Sequence, residues 1–99
     1  MAAIKVIATA VNKDSPEIAI GLNKGSTGVW IAHEHDKKKG DTVTGTGTAT
    51  PGTDWVTWYL EGDAGAKFKI ECFVDDTAQW ITERVVQIGH SFTGDSKGI

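Results

Sequence analysis

The stretch Asp54-Trp55-Val56-Thr57-Trp58-Tyr59-Leu60-Glu61 decides the fold, because its side chains alternate with a period of two. Val56, Trp58 and Leu60 would share one face of a β-strand, and the side chains between them would point to the opposite face. The first set is apolar and suits a core. The second set is also rich in aromatic residues, so the pattern predicts a strand whose outer face carries unusually large side chains.

Similar short runs lie on both sides of this strand, and turn-forming residues separate them. The runs are residues 4–11, 17–23, 29–35, 42–50 and 67–74, bounded by glycine, proline, asparagine or aspartate. Regularly spaced short strands of this kind are typical of antiparallel all-β folds. We therefore expect a small antiparallel β-sandwich of about seven strands, with a small closed β-barrel as the alternative.

The C-terminal third is less regular. Residues 80–92 are rich in β-branched side chains and are predicted to form a strand. Asp76 followed by Gln79 could instead cap a short helix, so residues 77–88 are open to either structure. Residues 93–99 are small and polar, and we expect a flexible tail after a single domain formed by residues 1–92.

Composition excludes several classes of protein. The net charge is −3, and the only basic run is Lys37, Lys38 and Lys39, which is too narrow for a nucleic-acid surface. No stretch is long and apolar enough for a signal or membrane segment. Cys72 is the only cysteine, so no intrachain disulfide can form. We expect a cytoplasmic location, although leaderless export or a virion would leave the same pattern.

Two histidines are candidate metal ligands. His33 and His35 are separated by one residue, so both imidazoles would lie on one strand face and could reach the same ion. His90 or a turn aspartate could supply a third ligand, whereas Glu34 would point to the opposite face. The alternative interpretation is a solvated strand end.

Aspartates at turns are candidate calcium ligands. The candidates lie at the ends of neighbouring strands, where their carboxylate oxygens could coordinate one ion; they are Asp63, Asp75 and Asp76. No segment has the dense alternation of aspartates that calcium loops use, and aspartate also suits turns because its side chain hydrogen-bonds the local backbone. Calcium is therefore a possible ligand, and a purely structural role is the competing interpretation.

The sequence does not indicate an enzyme. Cys72 alternates with apolar residues, which predicts a buried thiol rather than a nucleophile. The threonines at even positions from 42 to 50 form a ladder on one strand face, with small residues opposite that would leave space for a side chain such as Trp58. An exposed strand of good β-propensity explains the ladder.

Aromatic residues predicted to lie on the surface are the most informative feature of the composition. Trp55 and Tyr59 flank Thr57 on the face opposite the core, where they could stack on the apolar faces of sugar rings. We expect a non-catalytic, lectin-like glycan-binding module that uses these three residues and Asp63. The alternative is a structural or assembly protein in which the same aromatics form a homo-oligomer or protein-protein interface. A further alternative is that a loop or the C-terminal segment covers them.

Overall fold

The stretch that decides the fold is a strand in the computed structural model, which describes residues 1–99. The strand covers Trp55–Glu61, and its side chains alternate strictly between buried and partly exposed. Val56, Trp58 and Leu60 are at most 1% exposed. The predicted division of this strand into a core face and an outer face is confirmed.

Eight strands and no helix make up the chain. They are β1 (Ala2–Ala10), β2 (Ser15–Lys24), β3 (Thr27–Lys37), β4 (Thr42–Ala49), β5 (Trp55–Glu61), β6 (Lys67–Val74), β7 (Thr77–Val85) and β8 (Phe92–Gly98). The all-β prediction is confirmed, with one strand more than the seven expected.

The strands form two antiparallel sheets that pack face to face. Sheet 1 has the order β4-β1-β6-β7, and sheet 2 has the order β3-β2-β5-β8. Hairpins join β2 to β3 and β6 to β7, and the other connections cross between the sheets. Each sheet keeps two edge strands, so the fold is a sandwich and the closed-barrel alternative is wrong. The structure contains no helix that is long and apolar enough to cross a membrane.

The core between the sheets is one cluster of 18 buried residues. Trp58 from sheet 2 and Phe68 from sheet 1 are its largest side chains, and aliphatic residues from β1, β2, β4, β5 and β6 surround them. Apart from Ala66, Val86 and Ile99, the core residues come from the alternating positions that the sequence pattern identifies. Burial of this apolar surface is the main force that holds the sheets together.

The C-terminal segment is a strand, so the prediction of a flexible tail for residues 93–99 is wrong. Strand β8 pairs with β5 along its length, and Ile99 joins the core at 7% exposure. The apolar alternation is missing because β8 is an edge strand. Its position opposite Trp58 is occupied by Asp95, whose Oδ2 lies 3.7 Å from Nη2 of Arg84 on β7.

Within residues 77–88 the structure has a strand over Thr77–Val85 and no helix. Strand β7 ends at Val85, earlier than the predicted strand over residues 80–92, and Val86 then turns into the core. Trp80 pairs with Cys72 of β6 and packs against the core. Its indole N–H donates to the carbonyl of Gly98 at 2.9 Å, which ties β7 to the last strand of sheet 2.

The threonine ladder of β4 is exposed, and the small residues between the threonines face the other sheet. The space above them is filled by aliphatic side chains and not by Trp58. A Cβ on Gly45 would lie 2.7 Å from Cγ1 of Ile31, and a Cβ on Gly47 would lie 2.8 Å from Cδ1 of Leu22. The glycines therefore allow β4 to approach sheet 2 closely.

Candidate functional site

The outer face of sheet 2 carries most of the predicted site residues. The strand register arranges its side chains in rows that run across the sheet. One row contains Trp30, Gly21 and Thr57, and the next contains His33 and Tyr59 on either side of Ala19. The other outward residues that matter below are Glu17, Asn23, His35, Trp55, Glu61 and Phe92.

Trp30 forms an exposed aromatic wall on this face. Its side chain is 59% exposed, and its indole lies over the backbone of Gly21, where a Cβ would be 3.3 Å from Cε3 of Trp30. Together with Asn23, Gly28 and Thr57 it lines a shallow depression of about 170 Å³. Pockets that enclose a drug-sized ligand usually have about 300–1,000 Å³. This depression therefore suits one ring of a ligand that remains partly in solvent.

Polar groups border the depression on the side of β5. The Asn23 side-chain amide donates a hydrogen bond to the Thr57 hydroxyl. Trp55 lies opposite Asn23 on the next strand and is partly exposed. The structure thus brings the predicted residues Trp55 and Thr57 to the same surface as Trp30, which the sequence pattern did not single out.

Tyr59 is partly engaged by its own chain. Its ring stacks on Phe92, with centroids 5.4 Å apart, and its hydroxyl donates to Oε2 of Glu61 at 2.6 Å. The hydrogen bond to Glu61, followed by burial and by the negative charges of Glu61 and Glu17, raises the pKa of Tyr59 to about 12. Phe92 of the C-terminal strand and Glu61 therefore fix the orientation of Tyr59, which stays partly exposed.

Three potential metal ligands meet on the same face. His33 and His35 project from β3 with ring centres 4.8 Å apart, and Glu17 of β2 lies opposite His35 in the register. The Glu17 carboxylate contacts Nε2 of His33, and its Oε1 lies 3.6 Å from Nε2 of His35. The sequence pattern placed the two histidines together, as the structure does, but considered His90 or a turn aspartate as the third group, whereas the structure brings Glu17 to them.

Glu17 is held as a carboxylate. The hydrogen bond with His33 lowers its pKa most. Burial, the next largest effect, raises the pKa, and the charges of the two histidines lower it further. Glu34 lies on the other side of β3, level with the inward Ile18. Its carboxylate pairs with Nζ of Lys37 at 2.5 Å, so it takes no part in the cluster.

The three aspartates considered for calcium do not meet. Asp63 precedes β6 and Asp75 follows it, so the eight residues of that strand, roughly 26 Å in extended form, lie between them. Asp63 lines a separate polar hollow. Asp75 and Asp76 have φ angles of 48° and 65° and form the turn into β7, and Oδ1 of Asp75 accepts a hydrogen bond from the N–H of Ala3 at 3.0 Å. Both therefore have structural roles.

Cys72 is completely buried, as its phase in the strand predicts. Burial raises the pKa of its thiol to about 11. A thiol in this state is a poor nucleophile, because the thiolate is the reactive form. Cys72 belongs to the core.

Fold and surface together describe a β-sandwich with one aromatic and imidazole-bearing outer face. No protein-family model, curated protein or solved structure matches this chain. The function must therefore be argued from the residues of this face.

Proposed function

We propose that this protein is a non-catalytic binding module that recognises glycans through the outer face of sheet 2. The binding surface consists of Trp30, Trp55, Asn23 and Thr57. Tyr59 supports this surface from its stacked position against Phe92. Asp63, which we expected to take part, is not included because it lies in a separate hollow.

The observation that carries this proposal is the exposed indole of Trp30 above Gly21. A flat, exposed indole next to the backbone of a glycine, which has no side chain, accepts the apolar C–H face of a sugar ring. The paired amide and hydroxyl of Asn23 and Thr57 lie at the edge of the same depression and can exchange hydrogen bonds with sugar hydroxyls. An apolar platform with a few polar groups at its rim is the usual chemistry of small-ligand sites.

The shallow shape favours recognition of a ring at the surface rather than enclosure of a whole ligand. A second aromatic, Trp55, lies on the same face and offers a contact for a neighbouring ring. We therefore expect oligosaccharides to bind more tightly than single sugars. We expect the affinity for each ring to be low, because the contact area is small.

A glycan array followed by titration of the best ligand tests the proposal. Trp30→Ala should weaken binding at least about tenfold, because an indole contact worth about 1.4 kcal/mol changes the affinity by that factor. Ile81→Ala is a matched control, since Ile81 is 60% exposed but lies on β7 in sheet 1. Absence of any glycan ligand for the unaltered protein, or equal losses in both variants, would contradict the proposal.

The alternative function is assembly through the same surface. Strand β3 is a long edge strand of sheet 2, and Val29 and Trp30 on it are more than half exposed. Exposed edges and apolar side chains are frequent sites of subunit contact. Sedimentation analysis over a range of protein concentrations separates the two functions. A dimer that Trp30→Ala dissociates supports assembly, and a monomer whose tryptophan fluorescence shifts only with glycan supports recognition of sugars.

A further inference from the structure

We propose that Glu17, His33 and His35 form a binding site for a divalent transition-metal ion of the Zn²⁺ class on the outer face of sheet 2. The site is separate from the depression at Trp30, and the proposal does not depend on glycan recognition.

The distances between ligand atoms suit a single ion. One ligand atom from each of the three side chains lies within 4.8 Å of the others, and Oε1 of Glu17 lies 3.6 Å from Nε2 of His35. Metal–ligand bonds of about 2.0–2.2 Å in tetrahedral geometry place neighbouring ligand atoms roughly 3.3–3.6 Å apart. Small rotations of the side chains therefore bring all three within bonding range, and no change of the backbone is required.

The backbone holds these side chains in place before any ion binds. Glu17 and His35 are direct partners in the β2–β3 ladder, and His33 is the partner of Ala19. A site whose ligands come from paired strands loses little conformational freedom on binding. The hydroxyl of Ser15 also donates to the carbonyl of Glu61 at 2.6 Å and fixes the end of β5 beside Glu17.

The ligand set selects the class of metal. Two imidazoles and one carboxylate suit Zn²⁺, Cu²⁺, Ni²⁺ or Co²⁺, whereas Ca²⁺ and Mg²⁺ require shells of oxygen ligands. Three protein ligands leave at least one coordination position for water or an external ligand. The histidine side chains are 47% and 62% exposed, so an ion can reach the site from solvent.

The surrounding charge favours a cation. Glu61 lies next to Glu17 across the β2–β5 ladder, one residue beyond the pair of Ile18 and Leu60. The hydroxyl of Tyr59 donates to Glu61 and holds this second carboxylate close by. Lys37, the positive residue at the end of β3, is already paired with Glu34 on the other side of the strand. The Glu17 carboxylate therefore contacts the imidazoles, and a second carboxylate, Glu61, lies on the neighbouring strand beside Glu17.

Calorimetric titration of the untagged protein with Zn²⁺ alone is the first test, and Co²⁺ absorption reports the geometry. We expect one ion per chain. Glu17→Gln should weaken binding at least about tenfold, which is the loss that removal of even an orienting group can cause. The double variant His33→Ala, His35→Ala should abolish it. Glu34→Gln and His90→Ala are matched controls and should bind as the unaltered protein does.

Nuclear magnetic resonance of the histidine rings tests the site without any substitution. The chain has three histidines, so each ring can be followed separately. Zn²⁺ should shift the signals of His33 and His35 at a ratio of one ion per chain and leave those of His90 unchanged. No saturable binding, binding that persists in the double variant, or a shift of His90 alone would overturn the proposal, whatever the result with glycans.

Discussion

The outer faces of the two sheets differ in what their side chains do. On sheet 1, polar groups pair with neighbours along and across the strands, as in the ion pair of Lys69 with Glu71 at 3.5 Å. The aromatic side chain of Phe73, which lies opposite Lys5 on this face, is covered by the ammonium group of Lys5, 4.9 Å from the ring centre. On sheet 2, Trp30 is left open and two imidazoles meet a carboxylate. This difference supports the binding role that we propose for the outer face of sheet 2, whereas the outer face of sheet 1 carries paired charges and the isolated exposed side chain of Ile81.

The largest effect that tests this difference is expected on strand β5, because each of its two faces carries a tryptophan. Trp58→Ala should lower the free energy of unfolding by about 3–5 kcal/mol, the usual cost of a large cavity in a core. Trp55→Ala should cost no more than about 2 kcal/mol, since Trp55 lies on the outer face. Urea denaturation of both variants measures the difference.

A gentler substitution controls this experiment. The indole N–H of Trp58 is buried and has no hydrogen-bond partner. Trp58→Phe removes that unsatisfied group and leaves a smaller void, so its cost should be clearly lower than that of Trp58→Ala. If Trp55→Ala proves as damaging as Trp58→Ala, the outer face of sheet 2 is part of the structural core and not a binding surface.

The alternation of apolar residues predicted most of the fold. It identified β1 to β6 and the inward set that includes Trp58 and Phe68, because a half-buried strand imposes a period of two. It failed for β8, where Asp95 and its neighbours lie on an edge strand that meets Arg84 of β7. Polar residues on both faces of a strand leave no period to detect.

The sequence could predict only part of the site, and a backbone irregularity explains why. An uninterrupted ladder starting at the pair of Lys24 and Thr27 would place Glu34 opposite Glu17. The structure has a register shift beside Gly21, and His35 lies opposite Glu17 instead. An extra residue in one strand of a pair changes every later partner, and such a bulge has no reliable pattern in a single sequence. The meeting of Glu17 with the two histidines was therefore not predictable.

The titration of Tyr59 tests how tightly the outer face of sheet 2 is organised. The hydrogen bond to Glu61 favours the neutral phenol and raises the pKa of Tyr59 to about 12, above the ordinary value of 10. This contribution to stability is complete below pH 10 and is lost as the pH rises from about 10 towards 12. Because Tyr59 is the only tyrosine, ultraviolet absorption follows it directly.

A variant assigns this shift to its cause. Glu61→Gln keeps the shape of the side chain but removes the negative charge, so the midpoint of the titration should move back towards 10. Glu71→Gln, on the outer face of sheet 1, should leave the midpoint unchanged. A midpoint near 10 in the unaltered protein would mean that Tyr59 is free in solution and available as a stacking surface.

The smallest effect is expected on the outer face of sheet 1. Thr46 lies in the middle of the β4 ladder, opposite Lys5, and is exposed. Thr46→Ala should change the free energy of unfolding by no more than about 1 kcal/mol, the range of β-propensity at such positions. Titrations with Zn²⁺ and with any glycan ligand should give unchanged affinities, because Thr46 projects from the sheet opposite the one that carries Trp30 and His33. A loss of glycan affinity in this variant would instead assign binding to the threonine ladder, and the contrast between the two faces would then be reversed.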